Sequence, residues 1–226
     1  MSDSPGPPPP PPPIVHADVL TGNHVIFGGL DGRTETSAGL RGGMTAEQVR
    51  EVLDAWAERT EALGARHDVG YVLIVQDGDG PSEIHAYAAL PPAPARELAV
   101  HPCPLCYELA GDRLVAEATG WRAWVPAAAI SPNAVTIAPI GHRSGLPALT
   151  AWERDGLATL LADVLGRLDG PRQLWVHQRP TDGGEWPNCH VHVEIVAVAA
   201  GAAQLASGVY VNPVPPPEAA ARLRER

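Results

Sequence analysis

Residues 150–198 read TAWERDGLATLLADVLGRLDGPRQLWVHQRPTDGGEWPNCHVHVEIVAV, and this stretch decides the fold class. It begins with a capping box, because the Thr150 hydroxyl and the Glu153 side chain can each satisfy a free N–H group of the first helical turn. Leucine and valine then recur at helical spacing until a Gly-Pro pair ends the helix. Two apolar segments, Leu174–His177 and His190–Val198, follow as predicted strands. A helix followed by two strands indicates an α+β protein.

The same order of elements occurs earlier in the chain. Thr45-Ala-Glu-Gln48 is another capping box. The helix after it carries apolar residues on one face, namely Val49, Val52, Leu53 and Trp56. The remaining predicted strands are His24–Phe27, Tyr71–Val75, Ile84–Leu90, Leu114–Glu117, Trp121–Val125 and Val135–Ala138. Strand, helix, strand and strand therefore occur twice, which suggests a duplication with a less complete first copy, although any α+β protein can repeat such elements.

Proline-rich stretches divide the chain. Residues 1–13 end in a run of consecutive prolines, which lacks the backbone donors of a helix or sheet, so we expect a disordered leader. The segment Pro91-Pro92-Ala-Pro94 ends the first part of the chain. We therefore predict a degenerate first half over residues 14–100 and an intact second half over residues 101–226, which ends in a helix at Glu218–Arg226.

Composition narrows the classes of function. The chain has 226 residues and a net charge of −10, and all 16 of its basic residues are Arg. An acidic protein is a poor partner for phosphate backbones, so we expect no nucleic-acid binding. The absence of Lys excludes Schiff-base chemistry and a Walker lysine. No apolar run has the length of a membrane span, so we predict a soluble cytoplasmic protein without a membrane partner.

The cysteines and histidines of the second half suggest a metal site. Two thiolates three positions apart in Cys103-Pro-Leu-Cys106 can bind one tetrahedral ion. His142 follows a predicted strand, and His190 lies on the last one. We therefore predict a zinc (Zn2+) site at Cys103, Cys106, His142 and His190. A redox pair and ordinary buried cysteines are alternatives for the CxxC motif, and we expect Cys189 to lie in the core.

The motif His190-Val-His192 allows more than one role. Side chains alternate along a strand, so both histidines share a face, can point into one site, and are followed on that face by Glu194. A histidine beside a metal can attack phosphorus and carry a nucleotidyl group, which would make His190 a ligand and His192 the nucleophile. Spacing alone leaves open a purely structural motif, or two metal ligands.

Several segments together resemble the galactose-1-phosphate uridylyltransferases of the histidine-triad superfamily. In family order, they are Cys103–Cys106, Leu114–Glu117, Trp121–Trp124, Ile137–His142, Trp175–Pro180 and His190–Glu194. The segment from Gly208 to Arg224 is similar to the family's C-terminal segment. The resemblance covers about residues 20–226 and is best from Ala89 onward.

This resemblance implies a histidine-triad-like fold, with helices on one side of an antiparallel sheet, two related halves and pairing into a dimer. It implies transfer of UMP or AMP between sugar phosphates through a nucleotidyl-histidine. The family's zinc ligands in the second half match Cys103, Cys106, His142 and His190. Other members hold a metal with one Glu and three His, at positions that match Glu97, His177, His190 and His192, but the CxxC motif favours the first set.

The chain also departs from the family pattern. Family members carry the catalytic histidine in the first half, within His-Pro-His-x-Gln, whereas the matching stretch here retains only His85 and has no preceding CxxC. We therefore expect His192 to be the catalytic residue, with Arg143 or Arg179 near phosphates. Glu194 stands where the pattern has Gln, and its charge would repel an α-phosphate.

We accordingly expect a nucleotidyltransferase that acts on a nucleotide sugar or a sugar 1-phosphate through a nucleotidyl-histidine. The alternative is a non-catalytic, zinc-stabilised protein that binds nucleotide sugars or serves as a partner subunit. A homodimer is the expected assembly.

Overall fold

The computed structural model describes residues 14–17, 24–27, 34–88, 102–108, 110–197, 203–205 and 209–226. Its centre is a sheet of eight antiparallel strands. These strands are β3 (Thr34–Ser37), β4 (Tyr71–Asp77), β5 (Ser82–Tyr87), β6 (Leu114–Ala118), β7 (Trp121–Trp124), β8 (Ala134–Pro139), β9 (Arg172–His177) and β10 (His192–Ala197), in the spatial order β3-β5-β4-β9-β10-β8-β7-β6. Two separate hairpins pair β1 (Ile14–Ala17) with β2 (His24–Phe27), and β11 (Ala203–Leu205) with β12 (Val209–Val211).

The helices begin where the two capping boxes predict. Helix α1 spans Ala46–Gly64 after Thr45, helix α2 spans Ala151–Arg167 after Thr150, and helix α3 spans Pro216–Arg224. Both capping boxes are complete, with reciprocal bonds between the N-cap threonine and the third helical residue, as sequence predicts.

One face of the sheet packs against the helices. Ile74 of β4, Val176 of β9 and Ile137 of β8 form one buried cluster with Leu53 of α1 and Leu161 of α2. Each such side chain contributes about 1.5–3 kcal/mol on full burial. The opposite face, which we call the outer face, carries the alternate residues: Leu73, Val75, His85, Trp175, His177, His192 and Glu194. The predicted α+β fold with helices on one side of an antiparallel sheet is confirmed.

The sheet has a repeated topology. In both halves a strand is followed by a helix and two more strands, and the last strand pairs with the first: β5 with β3, and β10 with β8. The two units meet where β4 pairs with β9, with Ile74 opposite Val176. The predicted boundary near residue 100 and the predicted leader at residues 1–13 lie outside the described residues.

Several predicted boundaries differ from the structure. Strand β10 begins at His192, because the preceding chain bonds to a loop: the Val191 N–H donates to the Arg143 carbonyl over 2.6 Å. Strand β5 covers Ser82–Tyr87, where sequence predicts Ile84–Leu90. Among the described residues, no helix combines the length and apolar character needed to cross a bilayer.

Candidate functional site

The four predicted metal ligands come together at one end of the second half. Cys103 and Cys106 flank a short 3-10 turn, Pro104–Cys106, while His142 follows β8 and His190 precedes β10. One ligand atom from each residue lies within 4.8 Å of the others. Three separate loops therefore bring a Cys2His2 donor set into one place.

The distances between these ligand atoms fit a tetrahedral ion. The Cys106 Sγ lies 3.1 Å from His142 Nδ1 and 3.5 Å from His190 Nδ1. The Cys103 Sγ lies 3.6 Å from the same nitrogen of His190. Zinc bonds of about 2.3 Å to sulfur and about 2.0–2.1 Å to nitrogen, at the tetrahedral angle, separate sulfur from nitrogen by about 3.6 Å. The arrangement could therefore bind a metal without a large rearrangement.

The second nitrogen of His190 supports this orientation. His190 Nε2 lies 3.0 Å from the Pro139 carbonyl oxygen. A carbonyl only accepts, so Nε2 carries the hydrogen and donates it, and Nδ1 keeps the lone pair that a metal needs. Burial, together with the neighbouring His142, lowers the pKa of His190 to about 4. The ring is therefore neutral at physiological pH, as a ligand must be.

The two thiols are close enough to affect each other's ionisation. Burial raises the pKa of the Cys106 thiol, and the adjacent Cys103 raises it further. Without a cation, two neighbouring thiolates repel each other in a partly buried site. A bound divalent ion would reverse that balance.

A second group of side chains lies on the outer face. His192 stacks on His177 of β9, with ring centroids 4.6 Å apart and an interplanar angle of 8°. The Nε2 atom of His177 lies 3.5 Å from the Glu194 carboxylate. One nitrogen or oxygen atom from each of these three residues lies within 4.8 Å of the others. The group could bind a cation or handle a proton.

The environment of His192 determines which nitrogen can react. Its Nδ1 lies 2.8 Å from the His190 carbonyl oxygen and so donates to it, which leaves the lone pair on Nε2. Burial and the neighbouring His177 lower the pKa of His192 to about 4, so the ring is neutral. His192 is 4% exposed, whereas the side chains of His177 and Glu194 are 21% and 45% exposed.

The structure separates His190 from His192. Sequence predicts that both histidines share a strand face and one site, but they belong to two adjacent groups. The reason is that His190 precedes β10, so the alternation of side chains along a strand does not extend to it. Cys189 is buried, as predicted, and its Sγ lies 3.6 Å from the Ser144 carbonyl oxygen.

The two arginines suggested for phosphate contacts differ in the contacts that their side chains already make. Arg143 donates to the Glu153 carboxylate over 2.5 Å and to the His142 carbonyl oxygen over 2.9 Å, so its guanidinium is already used. Arg179 follows β9 two residues after His177 and is exposed. No ion pair joins its guanidinium to another of the described residues. Arg179 is therefore the better candidate.

Sequence reasoning missed the role of His177 in this second group. The resemblance suggested His177 only within an alternative ligand set with Glu97, which lies outside the described residues. The missed signal was its position as the last residue of β9, directly opposite His192. Cross-strand pairing of two histidines is visible only once the register is known.

Comparison with known proteins identifies relatives in sequence. No model of a known protein family matches the chain. A galactose-1-phosphate uridylyltransferase of Rattus norvegicus is 30% identical over 146 residues, which cover 56% of this chain and 38% of that protein. The protein of the same name from Thermotoga maritima is 26% identical over 218 residues, which cover 81% of this chain and 69% of the relative. The resemblance to galactose-1-phosphate uridylyltransferases is confirmed. The matched part spans well under half of the length of the rat protein.

Solved structures give the same answer for the fold. A uridylyltransferase superposes with a TM-score of 0.77 at 23% identity, over 96% of this chain and 79% of that one. An ADP-glucose phosphorylase from Arabidopsis thaliana with bound ADP-glucose has a TM-score of 0.74 at 22% identity, over 81% and 67% of the two chains. These likenesses establish the histidine-triad-like fold of the uridylyltransferases.

Proposed function

We propose that the protein is a nucleotidyltransferase that takes a nucleoside monophosphate from a nucleotide sugar onto His192. The observation that carries the proposal is the position of His192 immediately beside the Cys2His2 group, in a fold shared with uridylyltransferases. The relatives are named for uridylyl transfer and one structural neighbour was solved with ADP-glucose, so UDP- and ADP-sugars are both candidate substrates.

We further propose one zinc ion at Cys103, Cys106, His142 and His190. The sulfur–nitrogen distances, and the Pro139 carbonyl that orients His190, support this assignment. A zinc ion bound there would supply a fixed crosslink between three loops. The crosslink would also fix the position of the His192 ring, because its Nδ1–H donates a hydrogen bond to the carbonyl of the ligand His190.

In the first chemical step, His192 Nε2 attacks the α-phosphorus of the nucleotide sugar. The new N–P bond forms as the bond from phosphorus to the bridging oxygen breaks, and sugar 1-phosphate leaves. The Nδ1–H group of His192 donates a hydrogen bond to the His190 carbonyl, and this bond stabilises the positive charge that the ring acquires. Arg179 is the exposed cation available for the phosphate oxygens. A transfer partner then removes the nucleotidyl group and restores neutral His192.

A label-transfer experiment tests this function. The protein is incubated with UDP-glucose or ADP-glucose that carries radiolabel in the α-phosphate, and acid-labile label on the protein is measured. We expect label on the wild type and on His85→Asn, which alters a histidine of the outer face outside the proposed site. We expect no label on His192→Asn.

Absence of label on the wild type would favour the non-catalytic alternative. A protein that binds these nucleotide sugars but never acquires label would be the non-catalytic binding protein or partner subunit. We also propose a cytoplasmic homodimer, following the resemblance, and sedimentation at several protein concentrations tests the dimer.

A further inference from the structure

The two cysteines of the proposed zinc site differ in exposure. Cys103 is buried, whereas Cys106 is exposed, although its Sγ contacts both His142 and His190. A bound zinc ion keeps a cysteine ligand deprotonated, and the thiolate is the form that oxidants attack. A small oxidant from solution can therefore reach one sulfur ligand of the site directly.

The second sulfur lies where it can react with an oxidised Cys106. The two cysteines stand at the two ends of the 3-10 turn, with Cys103 as its N-cap. A rise of about 2.0 Å per residue separates their Cα atoms by about 6 Å, which is within the range of about 4.4–6.8 Å found in protein disulfides. The two Sγ atoms already lie within 4.8 Å of each other. The turn therefore suits a disulfide as well as a metal ion.

The turn is also attached to the sheet independently of any metal. Leu105, which lies between the two cysteines, packs against Trp124 of β7 and Ala138 of β8. This apolar contact involves none of the four ligand side chains. We therefore expect the turn to keep its place when zinc leaves, so that the loss of the ion is reversible.

We propose that Cys103 and Cys106 form a redox switch, in which hydrogen peroxide converts the two thiolates to a disulfide and releases the zinc ion. The inference rests on the proposed zinc site and the proposed function of His192. A disulfide lacks the thiolate charge that zinc requires, and two histidines alone do not complete a tetrahedral site. His190 then loses the ion that fixes it, and with it the His190 carbonyl that orients His192. Oxidation therefore suppresses nucleotidyl transfer.

The oxidation balances with hydrogen peroxide as the oxidant. The Cys106 sulfur attacks one peroxide oxygen, the O–O bond breaks and hydroxide leaves, so that Cys106 becomes a sulfenic acid. The Cys103 sulfur then attacks the Cys106 sulfur, the S–O bond breaks, and a second hydroxide leaves as the disulfide forms. Two protons convert the hydroxides to water. In sum, two thiolates lose one electron each, and the peroxide is reduced to two water molecules.

Treatment of the zinc-loaded, full-length protein with hydrogen peroxide tests the inference. Released zinc is measured with a chromogenic chelator, and the disulfide is measured by intact mass and peptide mapping. We expect release of about one zinc per chain, a mass lower by two hydrogen atoms, and a bond between Cys103 and Cys106. Label transfer to His192 should be lost in parallel. Dithiothreitol followed by zinc should restore the thiols, the metal content and the label.

The third cysteine provides the matched control. Cys189 is 3% exposed, and its Sγ lies against the Ser144 carbonyl oxygen, so Cys189→Ser should respond to peroxide as the wild type does. If zinc stays bound while free cysteine in the same solution is oxidised, or if zinc leaves with Cys106 as a sulfinic acid and no disulfide, the inference is overturned while label on His192 upholds the proposed function. A protein that carries neither zinc nor label overturns the proposed function, and the inference with it.

Discussion

The two halves of the sheet share a scaffold but differ in what connects their strands. In the first half, residues 78–81 join β4 to β5, with Gly78 at a φ of 64°. In the second half, residues 178–191 join β9 to β10 and deliver His190 to the Cys/His group. The order of the strands and helix, and the antiparallel pairing of the first strand with the last, are common to both halves. The Cys/His group of the second half therefore depends on connecting segments that are longer than their counterpart in the first half.

The outer face shows the same contrast. In β5, Glu83 and His85 point the same way, whereas in β10 the order is His192 and then Glu194. His85 contacts Thr34 and Glu83, whereas His192 stacks on another histidine. In the described part of the chain, both candidate metal groups fall in the second half. The described residues of the first half include polar side chains on this face, but they form no such group.

The largest difference between the halves should appear when a proposed ligand is removed. Cys106→Ser should lower the free energy of unfolding by about 4 kcal/mol, as for the loss of a structural metal, and lower the Tm by about 10 °C. Cys189→Ser changes a buried thiol outside the group and should cost about 1 kcal/mol. Thermal and denaturant unfolding measure both values. If both substitutions lowered the free energy of unfolding equally, the Cys/His group would not stabilise the fold more than an ordinary buried thiol does.

A smaller difference concerns how closely each helix approaches the sheet. Counted from the N-caps Thr45 and Thr150, Gly156 of α2 corresponds to the exposed Glu51 of α1. A Cβ atom on Gly156 would lie 2.6 Å from the Thr119 carbonyl oxygen. Gly156→Ala should therefore destabilise the protein by about 2 kcal/mol.

The matched control lies in the same helix. Gly166 has open space where a Cβ atom would stand, so Gly166→Ala should stabilise the protein by about 0.5–1 kcal/mol through helix propensity. Stabilisation by both substitutions would show that α2 packs no more closely than α1. Chemical denaturation of both variants provides the comparison.

The smallest difference lies in the two capping boxes. Gln48 completes the first and Glu153 the second. Burial alone would raise the pKa of Glu153, but hydrogen bonds from Thr150 and Arg143 outweigh it and lower the pKa below the ordinary value. A lowered carboxyl pKa stabilises the fold above the pKa of the unfolded state, and this stability is lost as pH falls through the folded pKa.

Glu153→Gln should therefore cost about 1 kcal/mol at pH 7, and the cost should shrink as the carboxyl of the wild type is protonated in acid. Stability measured across pH checks this expectation. A cost that stays constant down to strongly acidic pH would mean that the charge of Glu153 contributes nothing, and that the two boxes are equivalent.

Local signals in the sequence predicted much of the scaffold. Thr45 and Thr150 mark helix starts because capping chemistry acts over a few residues. The grouping of Cys103, Cys106, His142 and His190 also matches the expectation, since each residue type favours the same ion. The split between His190 and His192 could not be predicted, because it depends on where β10 begins. That start is decided by a bond from Val191 to Arg143, which no local pattern reveals.

The metal content of the purified protein tests the central claim most directly, namely that the second half is built around a Cys2His2 zinc site. Elemental analysis of the wild type and of Cys189→Ser should give about one zinc per chain, and Cys106→Ser should give almost none. If the wild type lacks zinc, or if Cys106→Ser retains as much of it as Cys189→Ser does, the proposed metal site is contradicted.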